Sequence, residues 1–306
     1  MNRQPANRNF VYVTLADFIL RAGYQMGKTP LLPIFAASLG ASDALLGFIV
    51  SVSTLTGMAL KPLIGVLSDR WGRRWWLIAG TLWFAAMPFL YHFVQSPGQL
   101  VGLRIVHGLA TAIYGPVTLA YIAEVSGKRK AERLGWFDMA RSGGYIVGPA
   151  AAGWMLLWLA PAQVFTAIGL LSLVALAPVL ALSEPAPVNT RRSLPVHRQI
   201  ALALKAGSRT PAVWLSGGLE ATVYLALYAL KAFLPIYALA AGVNVAVVGL
   251  FFSLQEGTAL ALKPLGGRMG DRLGYLAAIA LGMGVSGAAL WLLPGAEGNL
   301  ALLALA

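Results

Sequence analysis

Asp17, Arg21, Tyr24, Gln25 and Lys28 stand at i, i+4, i+7, i+8 and i+11, a spacing that puts them on one face of a helix. Glu220, Tyr224, Tyr228 and Lys231 repeat the spacing about 200 residues later. Both sets are embedded in long apolar runs. There a carboxylate can exchange a proton, an ammonium or guanidinium can hold an anion, and a phenol or amide can bind a neutral polar group. Glu256 is a third acid of this kind: no base lies three or four positions to either side, and Lys263 is two turns away. Apolar surroundings disfavour the charged form of a lone acid. Glu256 first, then Glu220 and Asp17, are therefore the candidate protonatable sites.

Arg104 and His107 share a further apolar run, one turn apart. An ionisable group so placed usually faces a cavity or a partner. The imidazole suits a proton relay, although a histidine hydrogen-bonded within a helix bundle is the structural alternative. Asp17 with Arg21, and Asp138 with Arg141, are spaced to pair along their own helices, which would make those charges structural.

The elements that must carry these residues follow from composition. Of 306 residues 58% are hydrophobic and 11% charged, with a mean hydropathy of +0.72, against about 25% charged in soluble domains. Apolar runs of the roughly 20 residues needed to cross a bilayer recur at 10–37, 44–68, 76–94, 99–124, 134–158, 162–183, 211–240, 245–268 and 276–294, with 299–306 opening another. They are too long and too uniformly apolar for barrel strands. The chain is expected to be an all-α polytopic membrane protein of nine spans and the start of a tenth.

A formal charge of +12 would suggest nucleic acid in a soluble protein, but its placement argues otherwise. Arg3, Arg8, Arg70, Arg73, Arg74, Lys128, Arg129, Lys130, Arg133, Arg191, Arg192, Arg198, Lys205, Arg209, Arg268 and Arg272 fall in the N-terminal tail or in alternate loops. The opposite loops have no Lys or Arg, only Asp43 and Glu297. This positive-inside pattern puts the N-terminus in the cytoplasm of a cell whose cytoplasmic membrane holds the protein. No cysteine is present, so neither disulfides nor thiolate metal sites arise, and no cofactor is called for. Asp17, Arg21 and Lys28 interrupt the first run, which therefore does not read as a cleaved signal peptide. The expected partners are the lipid bilayer, a small molecule and protons, and the expected state is a monomer.

The chain also repeats itself. Lys61-Pro62-Leu63 falls on Lys263-Pro264-Leu265, 202 positions on, and in that register Pro33, Gly47, Ser51, Gly65, Asp69-Arg70 and Gly72 fall on Pro235, Gly249, Ser253, Gly267, Asp271-Arg272 and Gly274. Six spans separate the copies, an even number, so both point the same way: a parallel repeat of two six-helix halves. Residues 1–183 form the first half, 184–210 a polar, Pro-containing linker, and 211–306 part of the second. A complete second half would run to about residue 400, so the chain is expected to be a fragment or a departure from its own architecture.

Gly65-Val66-Leu67-Ser68-Asp69-Arg70-Trp71-Gly72-Arg73-Arg74 resembles the cytoplasmic loop signature of the major facilitator superfamily. The resemblance implies a conformational switch in which Asp69, Arg70, Arg73 and Arg74 form a network that breaks in one state, Gly65 lets helices approach and Gly72 turns tightly. The second copy keeps Asp271, Arg272 and Gly274 but has Tyr275-Leu276 in place of the arginine pair, so its latch should be weaker. The run from Arg104 to Gly108, with Pro116 and Glu124, is similar to the family's arginine-bearing helix, tied there to substrate or proton coupling. Gly135, Gly144, Gly148, Pro149 and Gly153, with Ala152 replacing a glycine, resemble the family's antiporter helix, whose small face lets a neighbour rock. The resemblance implies a proton-coupled exporter of a small molecule, not an enzyme, with Arg21, Tyr24, Gln25, Lys28, Arg104, Tyr224, Tyr228 and Lys231 lining the cavity. Uptake of an organic anion or sugar phosphate, or a non-transporting scaffold or receptor, are the alternatives.

Overall fold

The structure, a computed structural model, describes residues 3–185, 195–296, 299–304 and 306; Arg191, Arg192 and Glu297 lie outside them. It is all-α among those residues: α1 (Arg3–Met26), α2 (Leu32–Ser38), α3 (Asp43–Trp71), α4 (Arg73–Leu90), α5 (Pro97–Val125), α6 (Lys130–Met155), α7 (Pro161–Val174), α8 (Leu176–Leu180), α9 (Val196–Ser208), α10 (Pro211–Ala240), α11 (Val245–Leu273), α12 (Tyr275–Leu292) and the short α13 (Asn299–Ala304). Each of the nine expected spans is helical. Seven of them, counted among the described residues, are long and apolar enough to cross a membrane on their own. The other two, α1 and α6, carry Asp17, Arg21, Asp138 and Arg141, and are sheltered by packing on each other while α6 also packs on α11. The linker is not wholly extended, because α9 occupies its second part.

The repeat explains an irregularity in the first span. Lys28 precedes Pro33 by five residues, whereas Lys231 precedes Pro235 by four. The extra residue is absorbed at a kink between α1 and α2, Gly27–Leu31, in which Thr29 leaves helical geometry (φ −147°, ψ 123°). Lys28 is thus presented from a broken helix, Lys231 from a continuous one.

The first half is a closed bundle. Val13, Leu20, Leu77, Ala110, Tyr114, Val117 and Tyr121 are buried at its centre, and Leu31, Leu32, Ile49, Leu100, Val164 and Phe165 nearer the end away from the linker. The second half leans on it along two seams. On one, α11 packs against α6. On the other, α10 meets α2 and α3. In α10, Leu230, Leu234, Pro235 and Ala238 are buried while 211–218 are exposed; in α11, Val248, Phe251 and Phe252 are buried while 261–268 are exposed. The α6–α11 seam runs from Gly153 and Gly249, at the end away from the linker, to Asp138 and Lys263 nearer the linker, whereas the first turns of α10 are exposed. Neither Gly65 nor Gly135 has a neighbour within reach of an added Cβ, so neither has the close helix approach expected of it: the seam lies elsewhere on their helices.

Candidate functional site

The polar face of α1 keeps its expected Asp17–Arg21 pair and adds a partner from α6. Asp17 is fully buried; Arg141 of α6 donates to both its oxygens, Nε to Oδ2 at 2.9 Å and Nη2 to Oδ1 at 3.0 Å. Arg21 stands 3.6 Å off on the same helix. Asp138 does not take Arg141. It accepts instead from Lys263 Nζ of α11 at 3.0 Å, across the seam between halves. Helix spacing permitted the local pair, yet α1 and α11 flank α6 and offer better-placed charges. One carboxylate between two buried guanidiniums is strongly held, since removing it would leave uncompensated charge.

Further along the face, Lys28 Nζ donates to the Tyr228 hydroxyl at 2.8 Å, and that hydroxyl lies 3.1 Å from Thr54 Oγ1. The ammonium also lies 4.2 Å from the Tyr228 ring centroid and 5.7 Å from that of Tyr24. This is a direct link between the repeated faces of α1 and α10. Tyr24 has Lys28 and Arg104 among its charged neighbours, and Gln25 is buried beside Gly148 of α6.

Arg104 is buried and finds no carboxylate among the described residues. Its Nε donates to the Ile49 carbonyl at 3.2 Å, Nη1 to Tyr91 Oη at 3.4 Å, and Nη2 to Ser53 Oγ. His107 Nδ1 lies 3.1 Å from the same Tyr91 hydroxyl, while its Nε2 has no hydrogen-bond partner. The geometry fits the structural alternative for His107 better than a relay. A small void of about 10 Å³ adjoins Tyr24, Tyr91, Arg104 and His107.

In the second half, Glu256 is not the lone acid its own helix suggested. Lys231 of α10 reaches it, Nζ to Oε1 at 3.1 Å, with both side chains largely sheltered. Sequence spacing along one helix cannot register a base supplied by the next. Glu220 is exposed at the linker end of α10, in an open groove of about 420 Å³ with Leu215, Leu219, Leu276 and Ile279, and has no ion pair among the described residues. Tyr224, one turn on and half-exposed, has its ring 5.9 Å from that of Tyr228.

At the linker end the first loop forms a compact network. Gly72 takes φ +90°, ending α3 and starting α4. Arg73 pairs with Asp69 and, at 2.9 Å, with Glu124, and donates to Ser68 Oγ at 2.7 Å. Glu184 accepts from the backbone N–H of Arg73 at 2.6 Å and of Arg74 at 2.8 Å, while Arg74 Nη2 caps the Leu180 carbonyl. Arg70 is half-buried within the same turn. In the second copy Gly274 repeats the turn at φ +87°; among the described residues Asp271 accepts from the Tyr275 hydroxyl at 3.1 Å, and Arg272 is exposed.

Glu184 was missed by motif reasoning. A signal was present: α4 begins at Arg73 directly after a glycine, which offers no side chain to its first N–H groups, so an acceptor from elsewhere was required. Thr54, Ser53 and Tyr91 were missed for want of any such signal, since only packing brings them to Tyr228 and Arg104.

The small residues of α6 serve two neighbours. A Cβ at Gly144 or Gly148 would meet the α1 backbone at Phe18–Ala22 and Ala22–Met26. A Cβ at Gly153 would lie 2.8 Å from the Val245 carbonyl and 3.0 Å from Gly249 Cα. Beside that contact the Ala150 N–H, on the turn that holds Pro149, donates to Ser253 Oγ at 2.9 Å. Gly249 and Ser253 are the repeat partners of Gly47 and Ser51.

The sequence model of the Major Facilitator Superfamily matches residues 14–306. Over 154 residues the chain is 29% identical to an uncharacterized MFS-type transporter of Methanocaldococcus jannaschii, covering 50% of this chain and 39% of that protein. Over 157 residues it is 28% identical to multidrug resistance protein 1 of Bacillus subtilis, covering 51% and 40%. The matches thus span about two fifths of the length of these curated relatives. The crystal structure of the nucleoside transporter NupG superposes with a TM-score of 0.75 at 16% identity, covering 100% of this chain and 78% of that one, a likeness of fold.

Proposed function

Because this chain belongs to the Major Facilitator Superfamily, we propose that it serves a proton-coupled exporter that moves a small molecule across the cytoplasmic membrane by alternating access. One observation carries the reading: the halves make a backbone-close contact at Gly153 and Gly249, with the charged pair Asp138–Lys263 further along the same seam and buried charges beside it. A contact without side chains is one about which two rigid bundles can rock. On this reading the basic linker end lies in the cytoplasm and one copy of the chain suffices.

The Lys231–Glu256 pair is the proton site of the second half. When Glu256 takes a proton its oxygen no longer offsets the Lys231 ammonium, the tie between α10 and α11 is released, and the balance between the two arrangements shifts. Asp17, held by two guanidiniums, serves the first half as an anchor. Export is supported by the small-residue face of α6 and by the name of the Bacillus subtilis relative.

The test is movement of a fluorescent amphiphile by the full-length gene product in proteoliposomes under an imposed pH gradient. Acceleration by the gradient in wild type and none in Glu256→Gln is expected. Gradient-independent movement, or an unaltered response in the variant, would reject the proton role.

A further inference from the structure

The cations along the seams are not equally provided for. Arg21 and Arg141 share Asp17, Lys231 has Glu256, and Lys263 has Asp138. Arg104 has no acid, but three of its nitrogens are satisfied within the first half. Lys28 differs from all of these. It is 7% exposed, makes one hydrogen bond to a neutral phenol, and has no carboxylate within ion-pair distance among the described residues. An ammonium has three donors, and among the described residues only Tyr228 accepts from it. A buried cation with a neutral partner costs several kcal/mol, and Arg104 close by adds to the positive potential.

The surroundings define what would relieve that cost. Lys28 projects from a kink that the continuous helix α10 lacks. The neighbouring Thr29 hydroxyl is buried without a partner. Tyr24, Tyr228 and Tyr224 supply aromatic walls. The Tyr228 hydroxyl, free to donate toward Thr54, belongs to the opposite half. A ligand that replaced it at Lys28 would therefore sever one of the ties between the halves.

We propose that Lys28 is the anchor for a carboxylate on the exported solute, an aromatic or amphiphilic organic acid whose ring lies among Tyr24, Tyr224 and Tyr228. This rests on the transport reading above. A monoanion supplies the missing charge and accepts from the ammonium, while the phenols stack on the ring.

The experiment is equilibrium binding of three isosteric probes, 1-naphthoate, 1-naphthamide and 1-naphthylmethylammonium, to the full-length gene product in detergent. Wild type and Lys28→Arg should bind naphthoate at least tenfold tighter than naphthamide, and Lys28→Gln should bind the two alike. Without ligand, Lys28→Gln should melt at or above the wild-type temperature, because it deletes an uncompensated charge. Absence of naphthoate binding, preference for the ammonium probe, an unchanged preference in Lys28→Gln, or a lowered melting temperature in that variant would each overturn the proposal. Binding is read without a pH gradient, so a failure of proton-driven movement leaves this result untouched, and loss of the carboxylate preference leaves the transport reading standing.

Discussion

Lys231 Nζ lies 3.1 Å from Glu256 Oε1, a pair formed between α10 and α11 by residues 25 positions apart. It is the only carboxylate contact of either side chain among the described residues, so each half of the pair depends on the other.

Replacing Glu256 with Gln leaves Lys231 sheltered and uncompensated. A fully buried pair broken on one side loses about 3–5 kcal/mol; partial exposure here lowers the expectation to ~1–3 kcal/mol. The double variant Lys231→Gln/Glu256→Gln should recover most of that loss, measured by thermal melting in detergent. A double variant as unstable as the single one would mean that the two side chains are not coupled.

Asp17→Asn should be more damaging. Two guanidiniums, Arg21 and Arg141, would then share a neutral amide in a fully buried position, at a cost of about 3–5 kcal/mol. The check is the yield and melting temperature of the solubilised protein; adding Arg141→Gln should restore part of the stability.

At the seam, Gly153→Val and Gly249→Val place a branched side chain against backbone atoms of the facing helix. Overpacking of this kind costs roughly 1–3 kcal/mol, and here it also wedges the halves apart. Gly135→Ala meets nothing and should be neutral or stabilise slightly, by about 0.5–1 kcal/mol.

The two latches predict an asymmetry. Glu184→Gln weakens a charged acceptor for two N–H groups at the start of α4, expected to cost ~0.5–2 kcal/mol. Asp271→Asn loses one exposed hydrogen bond to Tyr275 and should stay within about 0.5 kcal/mol of wild type. Melting curves of the two variants, run side by side, decide it; equal effects would remove the asymmetry.

The sequence by itself determined the class of fold, because the solvent a segment needs is a property of its own residues. Apolar length placed all nine spans, and α10 to the residue. The repeat placed the two halves, and glycine at 72 and 274 placed the turns, since only that residue takes a positive φ freely. The polar faces of α1 and α10 were legible as helical spacing. Their partners were not. Glu256 looked alone and has Lys231, Asp138 looked paired with Arg141 and has Lys263, and Glu184 looked like linker and caps α4. Each of these depends on which helix lies beside which, and on how far it is rotated about its axis. Those are decided by close packing of the whole bundle, where residues 25, 124 or 125 positions apart become neighbours. The same packing separated one buried lysine, Lys28, from the acids that its sequence could have offered it.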